Sequence, residues 1–255
     1  MNILIVTQDS PFYLAESIDY FLGNLPKHSA VVGCVLLSPS PFGKKETALH
    51  KMLKTYRVFG LQFFIRYAIQ FMRGRLDPSC NVRHVLIKHG VAILELSKSI
   101  NSEASRRILR ERFAPDLIIS IQANVIFKKP LIDLPTIGCL NVHTALLPKY
   151  RGLMPTFWVL RNDERETGVS VFFIDEGIDS GPILVQKRIS IGDRTLDQLI
   201  RDTKKIGVDA LLEAIDLIDR GDYELMANDD AEQTYYSFPT KEDVKEFLGK
   251  GKRFF

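Results

Sequence analysis

Apolar residues in the first half of the chain come in blocks, not at every second position. Residues 3–7, 31–37, 91–96 and 116–121 are near-continuous runs dominated by valine, isoleucine and leucine. Such runs predict strands covered on both faces, because a strand with one wet face shows a polar residue at alternate positions. Between the runs, residues 14–25 and 101–113 carry apolar residues at helical spacing. Strand and helix in turn predict an α/β fold, a mainly parallel sheet with helices on both faces.

The second half changes character. Residues 168–175 and 183–189 read as two strands with a short connection through Gly177 and Pro182, a hairpin that would make the sheet mixed. Residues 195–220 read as one long helix, with Thr195 as its cap and Gly221 as its stop. A polar stretch follows, then Tyr235, Tyr236, Ser237, Phe238 and Pro239, and Thr240 opens a short helix over residues 241–248. The expected organisation is a body over residues 1–220 and a short C-terminal extension over residues 221–255. Residues 44–76 form a basic, apolar helical insertion in the body.

Composition narrows the class. At 255 residues, 45% hydrophobic and 25% charged, the chain is ordinary globular protein. A formal net charge of +3 argues against a dedicated nucleic-acid binder, though it leaves a local basic patch open. Cys34, Cys80 and Cys139 are scattered and odd in number, which predicts neither a disulfide framework nor a metal site. The amino terminus lacks the pattern of a signal peptide, and no uninterrupted apolar run reaches the length of a membrane span; residues 60–72 come nearest and are broken by Arg66. The expectation is a soluble, cytoplasmic protein.

The chemistry concentrates in two segments. Asn141 and His143 lie two apart, so in an extended segment both side chains point the same way and can reach one reacting atom. Asp179 sits in a glycine-bracketed loop able to return a carboxylate to that place. An amide donor, an imidazole and a carboxylate together suit transfer of an acyl or formyl group through a tetrahedral intermediate. An imidazole both accepts and donates protons near neutral pH, and a neighbouring carboxylate favours its cation. His28, His50, His84 and His89 have no comparable setting and read as surface or fold residues. The turn after the first strand, residues 7–11, contains no glycine, so a dinucleotide-type phosphate cradle is missing.

The run Asn141-Val142-His143, then Leu147-Pro148 with Gly152, and then Asp179-Ser180-Gly181-Pro182 resembles the formyltransferases that use 10-formyltetrahydrofolate. The resemblance extends over residues 91–218 and fades over residues 44–88. It implies a Rossmann-like formyltransferase fold with 10-formyltetrahydrofolate as co-substrate and no metal. It also implies that Asn141 donates to the formyl oxygen, that His143 assists as oxyanion partner or base, and that Asp179 sets the tautomer and charge of His143 and relays the amine proton. The pterin would lie against Asn124, Val125, Ile126 and Phe127 and the loop Asp175, Glu176, Gly177 and Ile178. Gln122 would face pterin or acceptor, Gly152 and Pro155 would shape the rim, and Lys149, Tyr150 and Arg151 would meet an anionic substrate.

Among acceptors, an amino-sugar nucleotide leads by elimination. The tRNA enzymes of the family carry a further domain for which little chain follows Gly221, and the glycinamide ribonucleotide enzymes carry a Gly-rich turn that residues 7–11 do not supply. Methionyl-tRNA and glycinamide ribonucleotide stay as alternatives, as do a formyltetrahydrofolate hydrolase and a non-catalytic folate-binding protein. The aromatic residues near Tyr235 would either stack a base or sugar or clamp the tail to the core. Residues 44–76 read as a helix packed on the body or on a second subunit, or else as a membrane-surface or RNA-contacting insertion. Exposed apolar surface over residues 60–72 would favour a homodimer.

Overall fold

The computed structural model describes residues 1–38 and 48–255. Residues 44–47 of the expected insertion lie outside what it describes. A seven-stranded sheet forms the centre, in the order β3-β2-β1-β4-β5-β7-β8. Strands β1 (Asn2–Gln8), β2 (Ala30–Leu37), β3 (Ile93–Leu94), β4 (Leu117–Ser120) and β5 (Gly138–His143) are parallel. Strands β7 (Glu166–Phe173) and β8 (Ile183–Ser190) add an antiparallel hairpin beside β5. This is the mixed sheet and the α/β class that the sequence predicts.

The continuous apolar runs are explained by cover on both sides. Ile3 and Ile5 of β1 belong to one buried cluster, under helices α1 (Leu14–Gly23), α3 (Val82–Lys88) and α7 (Leu196–Arg220). Leu4 and Val6 belong to another, with Leu109 and Phe113 of α4 (Glu103–Phe113) and Leu131 of α5 (Lys129–Ile132). With both faces dry, no position on the strand tolerates a polar side chain without a partner. Thr7, fully buried, meets that demand by donating from Oγ1 to the Ile121 carbonyl (2.8 Å). The predicted strand over residues 91–96 shrinks to two residues, because at the sheet edge β3 pairs only with Cys34 and Val35.

Helix α7 packs across the hairpin strands β7 and β8 and on β5. Thr195 caps it in a capping box with Gln198, and Gly221 ends it in the left-handed conformation, as the sequence predicts. Gly207 lets the helix approach closely: a Cβ there would stand 3.0 Å from Val142 Cγ1 and 3.5 Å from Val169 Cγ1.

A second aromatic cluster lies beside the sheet. Helix α6 (Pro155–Arg161) contributes Phe157 and Trp158, and α8 (Lys241–Gly249) contributes Val244 and Phe247. Helix α2 (Ala48–Leu76) contributes Phe59. Helix α2 is broken at Gly60, whose φ of 81° and ψ of 176° lie in a region only glycine adopts cheaply. The chain after Gly221 returns to this cluster. Strand β9 (Tyr235–Tyr236) pairs in parallel with β6 (Arg151–Gly152), and Tyr236 stacks on Tyr150 (5.2 Å) and Trp158 (4.7 Å). Of the two roles open to these aromatics, this arrangement is the clamp. Among the described residues, no helix is long and apolar enough to cross a membrane.

Candidate functional site

A cleft of about 590 Å³ opens at the carboxyl ends of β1 and β4. Strand order reverses between those two strands, so their connections leave in opposite directions and part the surface. Gln8, Ser120 and Gln122 line the cleft floor. Strand β5 runs along one side and delivers Asn141 and His143 to the same face, as the two-residue spacing predicts.

His143 is buried, at 7% exposure, and held at both nitrogens. Its Nε2 lies 2.7 Å from the Tyr150 carbonyl oxygen. A carbonyl only accepts, so Nε2 carries the proton and Nδ1 is left facing Asp179 Oδ2 at 3.5 Å. The Tyr150 backbone thus acts on the tautomer beside Asp179, a partner that the sequence did not suggest. Asp179 in turn is oriented by the chain around it. Its Oδ2 accepts from the Gly152 N–H (2.9 Å), and its carbonyl accepts from Asn228 Nδ2 (2.9 Å). Gly152 is obligatory here: its φ is +95°, and a Cβ would stand 2.3 Å from the Tyr236 carbonyl oxygen. The Nδ1 edge of His143 and the Asp179 carboxylate thus face each other across the cleft wall. Beside it, the Asn141 side chain has no partner among the described residues and lines the same cleft.

One arm of the cleft is built from Asn124, Val125, Ile126 and Phe127 and from Asp175, Gly177 and Ile178. Asn101 fixes this arm by donating to the Ile126 carbonyl (2.9 Å) and accepting from the Lys128 N–H (2.9 Å). Asn124 donates to Gln8 Oε1, and Asp175 closes its own turn by accepting from Gly177 N–H (3.0 Å) and Ser180 Oγ (2.6 Å). Gly152 and Pro155 also line the cleft.

Four expected residues are placed elsewhere. Arg151 is 3% exposed and turned into the C-terminal segment, donating to Asp230 (2.7 Å), Gln233 (2.8 Å) and Asn228 (2.9 Å). A guanidinium that is buried and held at both terminal nitrogens in this way is a bracket for the chain. Tyr150 donates to Glu164 (2.6 Å), and burial followed by that bond pushes its phenol well above the ordinary range. Lys149 and Glu176 are exposed and outside the cleft lining. His28 and His89 pair with Asp219 (3.4 Å) and Asp19 (2.6 Å), away from the cleft.

The second arm was not visible in the sequence. Phe12 and Tyr13, after β1, face Tyr67 and Gln70 of α2, and Phe254 and Phe255 come from the far end of the chain. Phe12 stacks on Tyr67 (4.6 Å), and Phe63 meets Phe254 edge-on (4.9 Å). Tyr13 donates to Asp197, which also holds Arg201 (2.9 Å); burial first, and that bond second, raise the Tyr13 phenol to about 12. Lys204 lines this arm with no carboxylate partner among the described residues. Desolvation there lowers its ammonium from 10.5 to about 7. One signal for it was present: Ile200, Lys204, Val208 and Leu211 form a stripe at helical spacing, and a lysine inside an apolar stripe is out of place unless it faces a cavity.

A family model described as formyl transferase matches residues 78–215. The methionyl-tRNA formyltransferase of Kosmotoga olearia is 39% identical over 173 residues, 68% of this chain and 55% of that protein. The chain thus spans about half the length of the curated relatives it matches. Among solved structures, a sugar N-formyltransferase from Shewanella sp FDAARGOS_354 superposes with a TM-score of 0.60 at 18% identity, covering 97% of this chain and 87% of that one. An N-formyltransferase from Helicobacter canadensis, in complex with folinic acid and dTDP-3-aminofucose, does so with a TM-score of 0.58 at 17% identity, covering 96% and 79%. At that identity the two structures speak for the fold alone. The matched model takes in β5, the Asp179 loop and the first part of α7, the segments that build the cleft, and this chain belongs to the formyl transferase family.

Proposed function

We propose that the protein transfers a formyl group from 10-formyltetrahydrofolate to a primary amine. The observation that carries this reading is the convergence of an amide with no side-chain partner among the described residues, Asn141, and an imidazole–carboxylate pair, His143 Nδ1 with Asp179, on one cleft. The amine nitrogen bonds to the formyl carbon, and the carbonyl oxygen takes up negative charge that Asn141 meets with its N–H. The His143–Asp179 edge takes the proton the amine must lose and returns it to the folate nitrogen as its bond to carbon breaks. The arm over residues 124–127 with Asp175, Gly177 and Ile178 suits a flat heteroaromatic ring, because Val125, Ile126, Phe127 and Ile178 give it an apolar lining with few polar groups. A reduced pterin matches that description, and the Helicobacter canadensis protein has folinic acid bound.

The acceptor enters by the second arm. Its aromatic walls and Lys204, which lies over the Tyr13 ring and has no carboxylate partner among the described residues, suit an amine carried on a phosphorylated, ring-bearing molecule. Methionyl-tRNA has the better support, because the curated relatives at 36–39% identity carry the name methionyl-tRNA formyltransferase. The amino-sugar nucleotide expected from the sequence is the second reading, favoured by the fold of the Shewanella enzyme over nearly the whole chain. The test incubates the protein with 10-formyltetrahydrofolate and, in separate reactions, methionyl-tRNA, amino-sugar nucleotides, glycinamide ribonucleotide or no amine. Mass detection of one formylated amine establishes reaction and acceptor together. Formate release at the full rate without any amine would make the protein a hydrolase, and tight folate binding with no turnover on any amine would make it a binding protein.

A further inference from the structure

Helix α2 beyond Gly60 has two apolar faces, and only one of them is used. At 100° per residue, Phe63, Tyr67, Gln70 and Gly74 share the inward side. There Phe63 meets Phe254, Tyr67 meets Phe12, and a Cβ on Gly74 would stand 2.3 Å from the Pro11 carbonyl oxygen. Leu61, Ile65, Ile69, Met72 and Leu76 share the opposite side and are 59, 50, 47, 61 and 79% exposed. The sequence leaves open whether this helix packs on the body or on a second subunit or contacts a membrane or RNA; the body is in contact with one side only. Arg66 and Arg73 flank the outer stripe on one edge and Arg75 on the other, and residues 48–76 contain no aspartate or glutamate.

From this outward stripe and its arginine borders we infer that helix α2 docks the protein on an anionic phospholipid surface. The site is distinct from the cleft, and the inference does not rest on formyl transfer. Five aliphatic side chains in a row, over a helix roughly 24 Å long, suit the boundary between headgroups and acyl chains. The arginines on both edges are then level with the lipid phosphates. A helix of this kind lies in the membrane plane without crossing it, in keeping with the absence of a spanning helix among the described residues. Charge decides against the other occupants. In a two-fold contact with a second copy, cationic helix would face cationic helix with no carboxylate on either to pair. An RNA backbone wants cations at the centre of the contact, whereas the centre here is aliphatic and the cations are at the border.

The test is flotation of the full chain with vesicles of phosphatidylcholine alone and of phosphatidylcholine with phosphatidylglycerol. The expected result is binding to the anionic vesicles only, weakening as salt is raised. The double variant Ile65→Ser/Met72→Ser should bind at least about tenfold more weakly, and Arg73→Ala and Arg75→Ala about fivefold each. Both positions of the double variant are exposed and outside the cleft lining, so its thermal unfolding and its folate binding should match the wild type. No binding to anionic vesicles, or equal binding by the double variant, overturns the inference. So does a wild-type dimer that the double variant converts to monomer, which would assign the stripe to a second copy. Loss of tRNA binding in the double variant, with vesicle binding kept, would assign it to RNA and overturn it as well.

Discussion

The two arms of the cleft are built in opposite ways. The arm that holds Asn141, His143 and Asp179 grows out of the sheet. Strand β5 is hydrogen-bonded on both sides, by β4 and β7, and the Asp179 loop joins the two strands of the hairpin. The arm with Tyr13, Tyr67, Lys204 and Phe255 is assembled from side chains on the loop after β1, two helices and the last residue of the chain. Rigid elements can hold catalytic groups to fractions of an ångström, while surface helices and a tail can be exchanged without disturbing them. On the proposed function, this division separates a fixed chemical arm from an arm that receives the acceptor.

If the division holds, variants in the two arms should differ in kind. Asn141→Ala should give the largest effect, a fall in kcat of about two to three orders of magnitude with folate affinity little changed, because the lost N–H acts on charge that develops only during transfer. Rapid-quench measurement of formyl transfer beside a folate titration separates the two quantities. Gly152→Ala comes next. Its Cβ would press on the Tyr236 carbonyl and its φ would be strained, at about 1–3 kcal/mol, so a lower Tm should accompany loss of the Asp179 contact.

Lys204→Met should act on the acceptor alone, raising its KM about tenfold and leaving folate binding intact. The pH dependence has a defined sign. The folded value of about 7 lies below the ordinary 10.5, so the cation is present below about pH 7 and is lost above it. Affinity for an anionic acceptor should accordingly fall as pH rises through neutrality, over a window moved upward once the anion is bound, and the methionine variant should lose that dependence. An unchanged pH profile in the variant would remove Lys204 from the acceptor arm. The smallest effect belongs to a place outside both arms: Thr195→Ala should cost about 1 kcal/mol of stability through the lost helix cap and leave kcat unchanged, measurable by denaturant titration.

How much could be read from the sequence follows the same division. The apolar runs of β1 and β4, the Asn141–His143 spacing and the hairpin around Asp179 were legible because each depends on neighbours within a few residues. Thr195 and Gly221 bracketed α7 for the same reason. The acceptor arm was not legible, because Tyr13, Tyr67 and Phe255 meet only after the whole chain has folded. Arg151 shows the limit from another side. A basic residue beside catalytic ones suggests substrate contact, but its partners Asn228, Asp230 and Gln233 lie nearly eighty residues away, and nothing local announces them. Asn101 is the reverse case, read as the start of a helix and found fastening the loop at Ile126 and Lys128. The short edge strands β6 and β9 were missed because two-residue pairings leave no period to detect.

The most direct test of the chemical arm is formyl transfer by Asp179→Asn, measured at saturating 10-formyltetrahydrofolate and amine, with folate affinity determined on the same preparation. Asparagine keeps the shape and can still accept from the Gly152 N–H, but it removes the charge that faces His143 Nδ1. The account expects folate to bind within a few-fold of wild type and transfer to fall by at least about a hundredfold. Transfer at the wild-type rate by this variant would contradict it.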